Sequence, residues 1–438
     1  MSKNKATANK GEHLSVKGMR DIIGNEYYRY QGFFEKAAEI AMYYGFKPIE
    51  TPILEKIELF NGGVGLNTDI VQKEMYVLKT KGGDQLALRP EGTAPVMRAY
   101  LENGLMASPQ PVMLYHGGPY FRHERPQRGR FREFRQFGLE MIGAEKSISD
   151  AMIIKIMVTI LEEAGLKNFY LNLNSIGDKE CRLGYRRALS AYYKKNQSQI
   201  CVDCKTRIKN NPLRVLDCKD EKCQPIKKDA PDSISYLCPN CKQHFKEVLE
   251  YLETLQIEYR MDHTLVRGLD YYSRTVFEFV TENESQTGNE EIKAGFSLGG
   301  GGRYDYLAKA LGSKKEIAAV GAALGVDRVL MCKDLNELNP RILKKPKVFF
   351  IQLGFEAKLF SLVVTEILRK ARIPIAQSLS KDSLGSQLAT AERLKIPYTI
   401  ILGQKEVIDR TVIVRNMDTR SQEVLGIDQL AEYVKKIK

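Results

Sequence analysis

The chain has 438 residues, enough for two or three domains with cores of their own. Its 67 lysines and arginines outnumber 54 aspartates and glutamates for a net charge of +13, which suits a polyanionic partner, nucleic acid first, or serves solubility alone. No run approaches the ~18–20 apolar residues of a membrane span, and the polar opening MSKNKATANKGEH lacks the apolar stretch of a secretory signal, so a cytoplasmic protein with a disordered tail over 1–13 is expected.

In chain order, residues 27–44 carry apolar side chains at helical spacing, and Gly45 stands where that helix should stop. GFKPIETPILE (45–55) reads as an extended segment that Pro48 and Pro52 confine to an edge or an interface. MYVL (75–78), QLALRP (85–90), PVMLYHGGPYFRHE (111–124) and FREFRQFGLEMIG (131–143) follow as strand-like runs joined by short turns, which predicts an antiparallel sheet. DAMIIKIMVTILEEA (150–164) is an amphipathic helix behind an aspartate cap, and FYLNLN (169–174) alternates as a strand.

From 178 to 251 the composition shifts to cysteine, lysine and turn residues, the mark of an inserted domain. The earlier pattern resumes over 252–335, and a polar linker spans 336–346. Strands and helices then alternate over 347–438, a small α/β domain with an open, largely parallel sheet. Residues 345–438 hold 16 basic against 10 acidic side chains, and residues 201–246 hold 10 against 6. Most of the excess charge thus lies in the two accessory regions, as it should if they hold nucleic acid. There is no internal repeat.

The densest chemistry is FRHERPQRGRFREFR (121–135), with six arginines, two glutamates and three phenylalanines. Two antiparallel strands joined by a turn would point Arg122, Glu124, Gln136 and Glu140 to one face. Arginine presents a fork that matches phosphate, and glutamate accepts from an ammonium, so an amino acid could meet a nucleotide there. A ladder of surface ion pairs, each worth ~0–1 kcal/mol, is the plainer alternative. LVRGLDYYSRTVFEF (265–279) sets Arg267 and Asp270 before two tyrosines and a strand. SLGGGGRYDYLAKALG (297–312) reads as a glycine loop leading into a helix, able to approach a ligand closely, or as a flexible hairpin. It is no Walker A motif, because no Gly-Lys-Ser/Thr follows. AAVGAALGVDRVLM (318–331) predicts a small-residue strand and a helix opening near Arg328, which would clamp a distal phosphate or simply cap a neighbouring strand. The five histidines form no hydrolase or deaminase pattern. What remains is phosphoryl chemistry directed by position and charge, with arginines and Mg²⁺.

These stretches resemble the class II aminoacyl-tRNA synthetases, and among them the histidyl enzymes. GFKPIETPILE is similar to motif 1, the dimer-interface segment; GPYFRHERPQRGRFREFRQFGLEMIG to motif 2; and AAVGAALGVDRVL to motif 3. LVRGLDYYSRTVFEF and GGGGRYD resemble the two signatures of the histidyl enzymes, and NTDIVQKEMY and LRPEGTAP also fit. The resemblance spans about 18–438 and implies an α+β catalytic domain on an antiparallel sheet over 14–177 and 252–335, with an anticodon-binding domain at 347–438. It implies a homodimer that joins L-histidine to its cognate tRNA, with ATP and Mg²⁺, through a histidyl-adenylate. Glu91, Gly92, Thr93 and Gln136 would take the histidine ammonium, and Glu140, Tyr271 and Tyr272 would surround its imidazole. Arg122 and Glu124 would bind ATP, with Arg130 in a loop beside them. Arg267 would neutralise the α-phosphate, touching histidine as well, and Arg328 would hold the γ-phosphate. Asp327 replaces a commoner glutamate, Arg135 stands where many members have histidine, and Met19 where threonine is usual. Two rivals are a non-catalytic regulatory paralogue of ATP phosphoribosyltransferase, which would lack the last domain, and a nucleic-acid-binding zinc protein without ATP turnover.

Six of eight cysteines lie between 201 and 241. Cys201-x₂-Cys204 and Cys238-x₂-Cys241 have zinc-knuckle spacing and form the preferred set for one tetrahedral ion, which leaves Cys218 and Cys223 over. Six reduced thiols are the alternative. A metal there would stiffen a basic lobe gripping the acceptor arm of tRNA.

Overall fold

Helix Asn25–Tyr43 buries Tyr30, Phe33, Ala37, Ile40 and Ala41, one stripe at helical spacing, and Gly45 with φ 90° turns the chain at its end. The computed structural model describes residues 13–66, 68–127, 129–282, 295–332 and 335–437. The expected tail therefore lies almost wholly outside the described residues. The chain divides after Pro340 into two units. None of the described helices is long and apolar enough to cross a membrane.

The first unit is organised on eight strands: β1 (Lys47–Pro48), β2 (Val112–Phe121), β3 (Glu133–Ile142), β4 (Phe169–Ser175), β5 (Tyr259–Met261), β6 (Ser273–Thr281), β7 (Ser297–Arg303) and β8 (Ala319–Gly325). Across the sheet they run β1-β2-β3-β8-β7-β6-β4-β5. The six central strands are antiparallel, and the short edge strands β1 and β5 pair parallel with β2 and β4. Two-residue periodicity sorts the faces. Phe137, Leu139 and Met141 of β3, with Phe277 and Phe279 of β6, pack against helices Asn25–Tyr43 and Ile148–Glu163. Leu114, Ile142 and Val276 look to the other side, where helix Thr93–Glu102 covers part of the face with Val96, Met97 and Tyr100.

Three expectations need correcting here. MYVL and QLALRP do form strands (Val77–Lys79 and Gln85–Leu88), but they join Leu54–Lys56 in a separate three-stranded sheet. Strand propensity names no partner. Asp150 is not a helix cap: Ser147 holds that position, and Asp150 is fully buried against Arg303 (Nε–Oδ2 3.2 Å). The glycine run is no loop. It is β7, paired on both sides in the middle of the sheet, and the helix after it, Leu307–Ala310, has one turn.

The inserted stretch is mainly helical, with Lys179–Lys195, Val202–Asn210 and Pro239–Thr254 its longer helices. Tyr185, Leu189, Tyr193, Ile208 and Val215 make a core of its own. Helix Pro239–Thr254, within the expected insert, instead sends Phe245, Val248 and Leu252 into the main core.

The second unit has a five-stranded sheet: β9 (Val348–Gln352), β10 (Ile375–Gln377), β11 (Tyr398–Leu402), β12 (Thr411–Asn416) and β13 (Gln422–Gly426), ordered β10-β9-β11-β12-β13. β10, β9 and β11 are parallel, whereas β12 and β13 are antiparallel, so the sheet is mixed rather than largely parallel. Val348 and Phe350 face one core and Phe349 and Ile351 another, as a strand covered on both faces should.

Candidate active site

The part of the sheet left bare by helix Thr93–Glu102 is the floor of a cleft, and β7 explains why it is bare. A Cβ on Gly300 would lie 2.8 Å from Arg267 Nη1, and one on Gly302 would lie 2.9 Å from the Tyr272 ring. On this face two side chains are missing, so that arginine and tyrosine can lie close over the backbone. Glu91, Gly92, Thr93, Arg122, Glu124, Arg130, Gln136, Arg267, Tyr271, Tyr272 and Arg328 all line this cleft. Residues from four separated stretches thus meet over the glycine strand.

At one end, Glu91 is buried, its carboxylate accepting from the Thr93 and Ala94 N–H groups (2.8 and 2.9 Å) at the start of the helix and from Tyr271 Oη (3.2 Å). Burial pushes its pKa up, against the pull of those hydrogen bonds. Thr93 Oγ1 donates to Glu140 Oε1 at 2.7 Å, and the Tyr304 hydroxyl donates to the other oxygen. Glu140 is only 1% exposed and sits beneath the cleft lining rather than on it. Tyr271 lies against Tyr272 (centroids 4.7 Å) and Tyr304 (5.7 Å), which closes an aromatic and acidic end.

The other end is cationic. Arg122 and Glu124 lie just past β2, which ends at Phe121, so the even-numbered face predicted for the strand carries Gln136 and Glu140 but stops short of these two. Both still reach the cleft, because Arg122 Nε donates to Pro90 O (2.9 Å) and its guanidinium lies over Phe134. Glu124 pairs with Arg130 at 3.4 Å. Arg328 donates to Gly129 O (3.0 Å) and Ser297 O (2.9 Å), which ties it across the arginine-rich turn. Arg267 pairs with Glu278 at 3.1 Å, while its buried Nε makes no hydrogen bond among the described residues. Asp327 lines the cleft too, accepting from Tyr30 Oη (2.6 Å) and the Arg135 backbone (2.5 Å), so it fastens helix Asn25–Tyr43 to β3.

Sequence reasoning missed several members. Glu278 stood in plain view as the one charge in VFEF, on the same face as Val276, yet only the fold shows that this face is the cleft. Tyr304, inside the GGGGRYD stretch but not singled out there, and His116, which carried no signal, both lie against Glu140. Lys219, from the insert, reaches the cleft lining by tertiary packing alone.

The histidyl-tRNA synthetase model matches residues 18–177 and 227–329, and an anticodon binding domain model matches 347–437. The chain belongs to the histidyl-tRNA synthetase family. A histidine–tRNA ligase of Dehalococcoides mccartyi is 41% identical over 424 residues, 97% of this chain and 99% of its own length. The apo histidyl-tRNA synthetase of S. aureus superposes with a TM-score of 0.79 at 31% identity, over 97% of this chain and 100% of that one. A protein of Bacillus halodurans C described as an ATP phosphoribosyltransferase regulatory subunit/histidyl-tRNA synthetase shares the fold (TM-score 0.59, 21% identity, 85% of this chain and 95% of that one). Fold alone therefore does not separate a histidyl-tRNA synthetase from that regulatory relative; the residues in the cleft must. Residues 178–226 fall between the two stretches that the family model matches.

Proposed function

We infer that the chain attaches L-histidine to its cognate tRNA in two steps, using ATP as its magnesium complex. One observation carries the reading: a single cleft has the buried acid Glu91 in its lining at one end, with Glu140 just beneath, and three arginines, Arg122, Arg267 and Arg328, at the other. Histidine and ATP need these opposite fields side by side. A regulatory paralogue has no use for the full cationic set, nor for the anticodon-binding unit.

In our assignment the ammonium of histidine settles on Glu91, Thr93 and Gln136, while Gly92 between the first two leaves room for the His116 and Tyr120 side chains. Tyr271 and Tyr272 enclose the imidazole. Glu140 acts from below through Thr93, whose hydroxyl it orients. Arg122 and Glu124 hold the nucleotide and Arg130 closes over it. The histidine carboxylate then attacks the α-phosphate; the bond to the β,γ-phosphates breaks and pyrophosphate leaves. Arg267 meets the charge that grows on the α-phosphoryl oxygens. Arg328 holds the departing end. In the second step the terminal ribose hydroxyl of tRNA attacks the histidyl carbonyl and AMP leaves. No side-chain nucleophile is needed, since position and charge supply the rate.

The surplus of basic residues in 345–438 supports tRNA binding there. The edge strand β1 and the exposed Met42, Tyr43, Ile53 and Leu54 support a homodimer joined through the 45–55 segment. We place the enzyme in the cytoplasm, with its substrates. Histidine-dependent pyrophosphate exchange into ATP tests the assignment: exchange with histidine and with no other amino acid is expected, and its absence would overturn the reading.

A further inference from the structure

The cysteines do not gather as their sequence spacing suggests. Cys201 and Cys204 meet Cys218 and Cys223, whereas Cys238 and Cys241 meet Asp178 and Cys181; within each group the ligand atoms lie within 4.8 Å of one another. The single set Cys201, Cys204, Cys238 and Cys241 is therefore wrong. Spacing along the chain shows which cysteines pair locally, but not which two pairs the fold brings together.

Each tetrad has the dimensions of a mononuclear tetrahedral site. Sulfurs bound at ~2.3 Å in a tetrahedron stand about 3.8 Å apart. Cys201 Sγ and Cys218 Sγ are 3.8 Å apart. In the second group Asp178 Oδ2 lies 3.2 Å from Cys241 Sγ and 3.6 Å from Cys238 Sγ. An iron–sulfur cluster would need its thiolates spread around a larger body. All eight cysteines are free thiols, and three of the four in the first group are buried. Backbone N–H groups also point at the sulfurs: Cys201 N to Cys223 Sγ (3.2 Å), Cys204 N to Cys201 Sγ (3.5 Å), Cys238 N to Cys181 Sγ (3.0 Å) and Cys241 N to Cys238 Sγ (3.4 Å).

We propose that the chain holds two structural zinc ions, one on Cys201, Cys204, Cys218 and Cys223 and the other on Asp178, Cys181, Cys238 and Cys241. The second ion joins the residues where the chain enters the insert to those where it leaves. The first serves the cleft. It brackets the segment 201–223, from which Arg207 pairs with Asp69 (2.9 Å), Asn211 donates to Asp270 (3.1 Å) and Arg214 donates to Gly268 O (2.7 Å). Gly268 follows Arg267, and Lys219 follows Cys218 into the cleft lining. The cysteine site thus braces the loop that carries Arg267.

The test uses full-length protein purified without a polyhistidine tag or chelator. Elemental analysis should find two zinc ions per chain, and titration of the thiols with an organomercurial should release both. Cys218→Ser and Cys241→Ser should each retain one. Fewer than two ions in the wild type, iron in either place, or loss of both ions from one substitution overturns the proposal; the mercurial titration keeps it testable where a variant does not fold. The brace has its own readout, which rests on the ligase reading as the metal count does not. Cys218→Ser should lose roughly ten- to hundredfold in pyrophosphate exchange, the scale of a misplaced catalytic group. Unchanged exchange in protein that has lost that ion would refute the brace.

Discussion

At the scale of single residues, Arg267 has the most exposed role to test. Arg267→Ala should slow histidine-dependent pyrophosphate exchange by about 10²–10³, the usual effect of losing one transition-state donor, while histidine binding by calorimetry stays near normal. Exchange close to wild type would remove it from the mechanism. Glu91 makes a pH prediction. Burial raises its pKa, so as pH falls it takes up a proton before an ordinary glutamate would. The ammonium of histidine binds the ionised form, so histidine affinity should fall on acidification, starting above the usual carboxylate range. Glu91→Gln should bind weakly and lose that part of the pH dependence. Asp150 illustrates the opposite shift. Burial pushes its pKa up, but the charge of Arg303 together with hydrogen bonds from His244 and Arg303 outweighs that and holds the carboxyl at about 2. A depressed carboxyl contributes stability that is complete above its unfolded value, about 3.9, and is lost as pH falls through about 2. Asp150→Ala should cost up to about 3–5 kcal/mol at pH 7, because the buried Arg303 loses this carboxylate and keeps only Asp305 as a charged partner. In urea melts the gap to wild type should shrink between pH 4 and about pH 2; a gap independent of pH would mean that the pair is not the source of the loss.

At the scale of elements, β7 decides the cleft. A strand of consecutive glycines is weak by propensity, since it has no side chains to pack and much chain entropy to lose. It holds because β6 and β8 pair with it on both sides, and Arg303 at its end is locked to Asp150. Gly300→Val should therefore disturb both folding and catalysis, because a Cβ there meets the Phe277 carbonyl oxygen and the Glu278 backbone of the neighbouring strand as well as Arg267. Pyrophosphate exchange should drop by at least about 10²-fold, and urea melts should show a loss of stability beside it. Full activity in that variant would show that the floor has room to spare. The helix Thr93–Glu102 plays the complementary role. Its first turn presents N–H groups to Glu91, so a buried carboxylate can wait for a cationic ligand.

For the whole molecule, the division after Pro340 separates chemistry from recognition. A chain truncated after Pro340 should keep most of its histidine-dependent pyrophosphate exchange and lose tRNA charging by a factor of at least about 10³, since a large part of the phosphate contacts goes with the basic unit. Equal losses in both reactions would mean that the second unit is needed for folding or assembly. Much of this was legible without the fold. The helices 27–44 and 150–164 announced themselves by periodicity, and the arginine-rich and paired-tyrosine stretches announced the site by density of charge beside aromatic residues. These are local patterns, set by residues a few positions apart. Side-chain type and spacing along one element therefore marked Arg122, Arg267 and Arg328 as candidates for the site, and the family resemblance added Glu91; all four line the one cleft. Tertiary structure alone decided what those groups face. It turned the glycine run from a loop into a floor, moved Asp150 from a helix end into the core, put Glu140 one layer below the cleft, and sorted the cysteines into two groups. The reason is the same in each case. A strand's neighbours and a thiol's partners are chosen across tens to hundreds of residues, by packing and pairing that no short window of sequence contains.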